Sequence, residues 1–236
     1  LDGNYGERLL GAGYQLFFNF TINSEDALLE PNLPPLKKRL EQLRALARRF
    51  EPRRIYWRFD PLCFYRVGGG ARKNNLGDFI DIADAAAEIG VSRCITSFMD
   101  RYKKIERRAT GISEFVFVDP APSEQQAIIL KMAQQLADRG ISLFLCCEKD
   151  VLSQLPEKST VSAASCVPND LFVKYDGGEV SLKRDTGQRR RAGCGCRVSV
   201  DIGSYQQHPC YHNCLFCYAN PVPPETATRN SARMTP

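Results

Sequence analysis

Four apolar stretches recur about 40 residues apart, and between them the apolar residues switch to helical spacing. Tyr14 to Ile22, Ile55 to Phe59, Arg93 to Phe98 and Ile141 to Cys147 are short and rich in aromatic and β-branched residues. That is the pattern of strands buried on both faces. Leu36, Leu40, Leu43, Ala47 and Phe50 fall on one helical face. A second helix is predicted from Leu76 to Ile89, stopping at Gly90. A third runs to Arg139, with Ser123 and Gln126 as a capping box and Gly140 past its end. Val161 to Ser165 reads as a short fifth strand. Near-continuous apolar strands separated by amphipathic helices pack as a parallel sheet covered by helices. An open doubly wound sheet and part of a (β/α) barrel both fit, and four or five units are too few to close an eight-stranded barrel.

With 236 residues, 43% of them hydrophobic and 25% charged, the chain carries enough apolar material for a real core. Disordered, collagen-like and disulfide-stapled miniprotein classes are excluded. No run approaches the roughly 18 consecutive apolar residues of a membrane span, and no secretory leader is recognisable. The net charge is +5, and the segment Lys183 to Arg197 alone supplies that excess, with six basic residues against Asp185. A uniformly basic nucleic-acid coat is therefore not favoured. The ten cysteines are as uneven: five lie between Cys194 and Cys217, together with the only histidines, His208 and His212. In a long chain of enzyme-like composition, such clustering points to metal in a reducing, cytoplasmic compartment rather than to disulfides.

In a parallel α/β sheet, ligands bind at the carboxyl ends of the strands. Those ends hold Asn23, Arg58, Asp60, Ser97, Asp100 and Glu148. Arg58, Asp60, Asp100 and Glu148 are the candidate catalytic residues; the plainer reading is that polar residues start loops and cap turns. Gly68-Gly69-Gly70 with Arg72 and Lys73 lacks the spacing of a phosphate loop and reads as a flexible loop. Gly177-Gly178-Glu179 reads as a turn rather than as a cofactor-holding element.

The most informative stretch is Cys210, Cys214 and Cys217, a C-x3-C-x2-C pattern with Phe216 before its last cysteine. It resembles the signature of the radical S-adenosylmethionine superfamily. Soft thiolates suit iron–sulfur clusters. Three ligands on a [4Fe–4S] cluster leave one iron open, and in that superfamily the open iron holds S-adenosylmethionine. The competing reading is zinc, with Cys194, Cys196 and a histidine completing a tetrahedral site. It is weaker because only one C-x2-C knuckle, Cys214 and Cys217, occurs.

Further residues carry a second resemblance. They are Gly13-Tyr14 with Phe18-Asn19-Phe20-Thr21-Ile22, Glu30-Pro31-Asn32-Leu33-Pro34, Trp57-Arg58-Phe59-Asp60-Pro61 and Ile95 to Tyr102, then Cys166, Gln188-Arg189, Cys194-Gly195-Cys196, Asp201 to Tyr205 and Cys210 to Asn220. Together they resemble the family called domain of unknown function 1848. That resemblance implies a radical-enzyme-type barrel whose cysteine motif stands at the C-terminal end. The expected fold class is accordingly α/β, a partial (β/α) barrel of parallel strands with a C-terminal cysteine-rich metal-binding segment. Residues 1–182 form the partial barrel, 183–220 the basic cluster-binding segment and 221–236 an extended tail. Family members carry about one more N-terminal βα segment, so a truncated chain is expected.

The expected function is an iron–sulfur enzyme of radical S-adenosylmethionine type, acting on an unknown substrate and served by an electron donor. Cys210, Cys214 and Cys217 are its metal ligands. Phe216 and Tyr218 are its cofactor-binding residues, with Tyr205 and Tyr211 also flanking the cluster. Cys166, Cys194 and Cys196 match the family pattern and are candidate second-site ligands. Cys63, Cys94, Cys146 and Cys147 are expected to pack as small buried hydrophobes. The alternatives are a zinc-binding module whose basic arm contacts nucleic acid, and a truncated chain with a purely structural cluster.

Overall fold

The computed structural model describes residues 5–186, 192–203 and 209–219. The chain begins with α1 (Tyr5–Gly11), β1 (Phe18–Thr21) and α2 (Leu36–Arg49), then a single 3-10 turn leads into β2 (Ile55–Arg58). Next come β3 (Phe64–Val67), β4 (Lys73–Asn74), α3 (Phe79–Glu88) and β5 (Arg93–Thr96). They are followed by α4 (Lys103–Ala109), β6 (Phe115–Phe117), α5 (Pro122–Ala137) and β7 (Ser142–Leu145). The last elements are α6 (Lys149–Ser153), β8 (Ser162–Ala163) and α7 (Asn169–Asp176).

Five strands form one parallel sheet in the order β1-β2-β5-β7-β8, which is also their order along the chain. The α/β expectation is met, with each predicted strand shortened. The sheet is open: among the described residues β1 and β8 each pair with a single neighbour. Alternation along the strands sends successive side chains to opposite faces. Ile55, Trp57, Cys94, Leu143 and Leu145 meet Leu43 of α2, Phe79 and Ile82 of α3, and Ile129, Met132 and Leu136 of α5 in the main core. Trp57 is fully buried, and its indole N–H donates to the Ile22 carbonyl at 2.9 Å, so no polar atom is left unsatisfied there. On the other face, Tyr56, Ile95, Phe144, Cys146 and Ala164 pack with Phe17 and with Leu171 of α7.

The periodic reading passed over a second layer. The connections after β2 and β5 contribute β3, β4 and β6 to an antiparallel sheet ordered β4-β3-β6. Tyr65, Ile105, Phe115 and Phe117 build a second core there with Leu29, from the connection after β1, and Leu215, from the cysteine loop. This layer stands at the carboxyl ends of the parallel strands.

Two local expectations are corrected. Ala121, not Ser123, is the N-cap of α5, and no side-chain cap bond forms, because Pro122 already supplies the first helical residue. Gly177 is the C-cap of α7, with φ 70° and its N–H on the Val173 carbonyl, rather than part of a free turn. The predicted tail 221–236 lies outside the described residues.

Candidate functional site

A cavity of about 600 Å³ opens at the carboxyl ends of β2, β5 and β7. Its floor is the Arg58 side chain, placed there because residue 58 shares the face of Tyr56. Arg58 is paired with the Asp60 carboxylate and donates from Nη1 to the Cys166 sulfur at 2.7 Å. Burial opposes the Arg58 charge, but Asp60 and Cys166 outweigh it, so its pKa lies above the ordinary guanidinium value. Asp60 also accepts from Ser97 Oγ at 2.5 Å, and its backbone N–H donates to Asn23 Oδ1 at 2.8 Å. Asp100 lines the same cavity. Glu148 does not. Its carboxylate accepts from the Phe98 N–H at 2.8 Å, and its position is the N-cap of α6. The expectation that Glu148 shares the pocket is therefore corrected.

One wall is the cysteine loop. Leu215 sits in the second core, 7% exposed, and its N–H donates to the Leu29 carbonyl at 2.8 Å. Asn32 holds the loop from the other side, with Nδ2 on the Tyr211 carbonyl at 2.9 Å. This anchoring turns Cys214, Phe216, Cys217 and Tyr218 toward the cavity. A tight turn brings the Cys217 N–H onto the Cys214 carbonyl at 3.1 Å, and Asn213 before it takes a left-handed φ of 54°, which asparagine tolerates better than most residues. Cys210 is close enough, with Cys217, to act electrostatically on Cys214. Burial, Glu30 and these two sulfurs all push the Cys214 thiol up. Tyr218 stands beside Tyr102, with ring centroids 6.1 Å apart. His208 and Tyr205 lie outside the described residues, as do Gln188 and Arg189 to Arg191.

Three residues that support this wall from behind escape the sequence reading. Glu30 is buried, within 3.8 Å of the Cys214 sulfur, and burial pushes its carboxyl up to about 7, with Asn23 and Arg39 opposing. Arg39 is buried on α2 and donates to the Asn23 carbonyl at 2.7 Å. The guanidinium of Arg108 reaches the Cys217 carbonyl. The available signal was weak: Arg39 falls three residues after Leu36 on the apolar stripe of α2, and Glu30 opens a turn-rich segment.

The opposite wall holds five more thiols, and here the sequence reading is corrected again. Cys63 and Cys94 are fully buried, as expected of small hydrophobes, but Cys146 and Cys147 face the cavity. Cys147 has φ 61°, so two successive residues present their sulfurs to one space instead of to opposite faces. Cys146 lies 3.8 Å from the sulfur of Cys147 and 3.8 Å from that of Cys166. Cys166 donates its N–H to the Cys196 sulfur at 3.3 Å and also bonds it through its own thiol. Cys194 is hydrogen-bonded to both Cys196 and Cys147. The contacts thus run around a ring, 146–166–196–194–147. The bond with Cys147 pushes the Cys146 thiol up to about 12, with Cys166 opposing and burial adding to it. The Cys196 thiol is pushed up by Cys166 and then by burial.

No disulfide forms among the described cysteines. The thiols touch pairwise, and among the described residues no three His, Cys, Asp or Glu side chains are already arranged to hold a metal ion. No described helix is long and apolar enough to cross a membrane.

The family model for a domain of unknown function (DUF1848) matches residues 4–219, so the chain belongs to that family. No curated protein and no solved structure matches it.

Proposed function

Starting from that membership, we propose that the chain is an iron–sulfur enzyme of radical S-adenosylmethionine type, working in the reducing cytoplasm on a substrate held in the strand-end cavity. The observation that carries this reading is the placement of the C-x3-C-x2-C loop, with Cys214 and Cys217 on a wall of the cavity that Arg58, Asp60 and Asp100 also line. The donor set fits a [4Fe–4S] cluster in chemistry: three soft sulfur ligands on one loop, none tied in a disulfide, with Cys210 and Cys217 both near Cys214. When bound, the cluster and S-adenosylmethionine supply one-electron reductive cleavage of a carbon–sulfur bond, and an external electron donor is required. The unbroken strand order of the parallel sheet supports a partial (β/α) barrel as the scaffold, whose ligands bind at this end.

The protein's own residues have separable roles in this reading. Leu215 and Asn32 hold the loop in place. Phe216 and Tyr218 offer rings to the cofactor beside the cluster. Arg58, fixed by Asp60 and Ser97, presents a cation to an anionic group of cofactor or substrate. The test is anaerobic reconstitution with iron and sulfide. About four iron and four sulfide per chain, with broad brown absorption, are expected in the parent. They are lost in Cys210→Ser/Cys214→Ser/Cys217→Ser. Reduction in the presence of S-adenosylmethionine then releases 5′-deoxyadenosine. Unchanged iron in the triple variant would falsify the ligand assignment, and a loaded protein that releases no 5′-deoxyadenosine removes the enzyme reading.

A further inference from the structure

The ring of thiols on the opposite wall has no part in the reading above. Its members come from three distant segments: Cys146 and Cys147 at the end of β7, Cys166 after β8, and Cys194 with Cys196 in the C-terminal segment. Hydrophobic packing accounts for them only in part, through Cys146 against the Tyr56 cluster and the buried Cys196. Cys146, Cys147, Cys166 and Cys194 are only half-buried, and all five face a cavity. Two further features bring them together. The left-handed backbone at Cys147 turns its thiol to the same side as that of Cys146. Gly195 lets the Cys194-Gly195-Cys196 segment lie directly on the end of β8, where a Cβ would stand only 2.7 Å from the Ala164 carbonyl oxygen. Any side chain at residue 195 lifts this segment and its two thiols away from Cys166.

We propose that this ring is a second metal site, in which a single thiophilic divalent ion of the zinc class is held by four thiolates: Cys146, Cys166, Cys196 and one of Cys147 and Cys194. The spacing favours one ion over a multinuclear cluster. A tetrahedral ion with metal–sulfur bonds of about 2.3 Å has sulfur–sulfur edges of roughly 3.8 Å, the separation found for Cys146 with Cys166 and with Cys147. Four thiolates around a divalent ion carry a net charge of about −2. Arg58, with Nη1 on the Cys166 sulfur at 2.7 Å, donates to this thiolate while its charge is shared with Asp60. Each ligand thiol gives its proton to solvent as the ion binds. The centre would fasten the C-terminal segment, which leads to the Cys210–Cys217 loop, to the end of the parallel sheet. The thiols differ from those of the proposed iron–sulfur cluster, so each assignment can fail alone.

The test uses the full chain, reduced and metal-free, titrated anaerobically with cobalt(II) as probe, and then with zinc in competition. Cys214→Ser/Cys217→Ser, which lacks the loop's thiolate set, takes up one cobalt with the intense visible bands of a tetrahedral thiolate site, and the parent shows the same bands. Zinc displaces it. Adding Cys146→Ser/Cys166→Ser to Cys214→Ser/Cys217→Ser abolishes those bands. Gly195→Ala keeps every thiol yet binds roughly tenfold or more weakly. If the combined serine variant does not fold, Gly195→Ala and protection of Cys166 and Cys196 from iodoacetamide by zinc in the parent decide the matter. Bands that survive when Cys146→Ser/Cys166→Ser is added to Cys214→Ser/Cys217→Ser, bands that vanish in Cys214→Ser/Cys217→Ser alone, undiminished affinity in Gly195→Ala, or iron with sulfide in place of zinc at these cysteines each overturn the proposal.

Discussion

The two faces of the parallel sheet are built from alternate residues of the same strands, and they have opposite chemistry. In β2, Ile55 and Trp57 enter a dry core against α2, α3 and α5, while Tyr56 and Arg58 look the other way. In β7 and just beyond, Leu143 and Leu145 are core, while Phe144 packs with α7 and Cys146 joins the thiol ring. The difference grows along the strand. Near the amino ends the second face carries one cation, Arg93, laid over the Tyr56 and Phe144 rings, and at the carboxyl ends it turns to guanidinium, carboxylate and sulfur. A site can be mounted there because the neighbouring residue of each strand is locked into packed aromatics and aliphatics, which holds the strand and leaves its partner free to carry polar chemistry.

Thiol reactivity is the sharpest way to test the contrast. In the reduced, metal-free chain, Cys63 and Cys94 are fully buried, whereas Cys210 and Cys217 are half-buried on the loop. Timed iodoacetamide labelling read by mass spectrometry should modify Cys210 and Cys217 in the native state. Cys94 should wait for global unfolding, at a rate lower by on the order of 10³ or more. Comparable rates at Cys94 and Cys217 would erase the distinction between the faces.

Trp57→Ala comes next in size. Its ring stacks on Phe79 at 5.6 Å and meets Phe59 edge-on at 6.0 Å. The change should cost about 3–5 kcal/mol, read as a fall in the urea midpoint of the far-ultraviolet signal. Leu215→Ala should cost about 2 kcal/mol, at the low end for a buried leucine, because this core is built partly from loops. The loss should be local. Hydrogen exchange should rise in the cysteine loop and the Leu29 connection before it rises in β2 or β5. Equal acceleration everywhere would mean that the loop is part of the global core rather than docked on it.

The sheet was readable because strands buried on both sides leave apolar runs, and IYWRF and ISLFLCC stand out against the helices between them. The antiparallel layer was not. β4 is two residues long and β6 three, too short for any period to emerge, and the partner of β6 lies some fifty residues earlier. Arg58 was legible for the reason that makes it useful: it is the one charge in its run, at the carboxyl end of the strand. The same logic failed for Glu148, since a polar residue at a strand end can equally hold a neighbouring backbone N–H, as it does at Phe98. For Cys146 and Cys147 the apolar run misled. Period-2 alternation puts one of two adjacent residues in the core, and only the positive φ of Cys147, which no spacing encodes, sends both to the cavity.

Arg58→Lys is the smallest and most discriminating change, because it acts one residue from Trp57 on the other face. Lysine keeps the charge and the stem but loses the planar fork that reaches Asp60 and Cys166 at once. One hydrogen bond of the pair is lost, while Asp60 keeps its bond from Ser97 Oγ. The expected cost is therefore about 1 kcal/mol, a small but measurable fall in the urea midpoint with an unchanged slope. If Arg58→Lys instead destabilises the chain as much as Trp57→Ala, the guanidinium is a keystone of the fold, and the division between a supporting face and a functional face does not hold at β2.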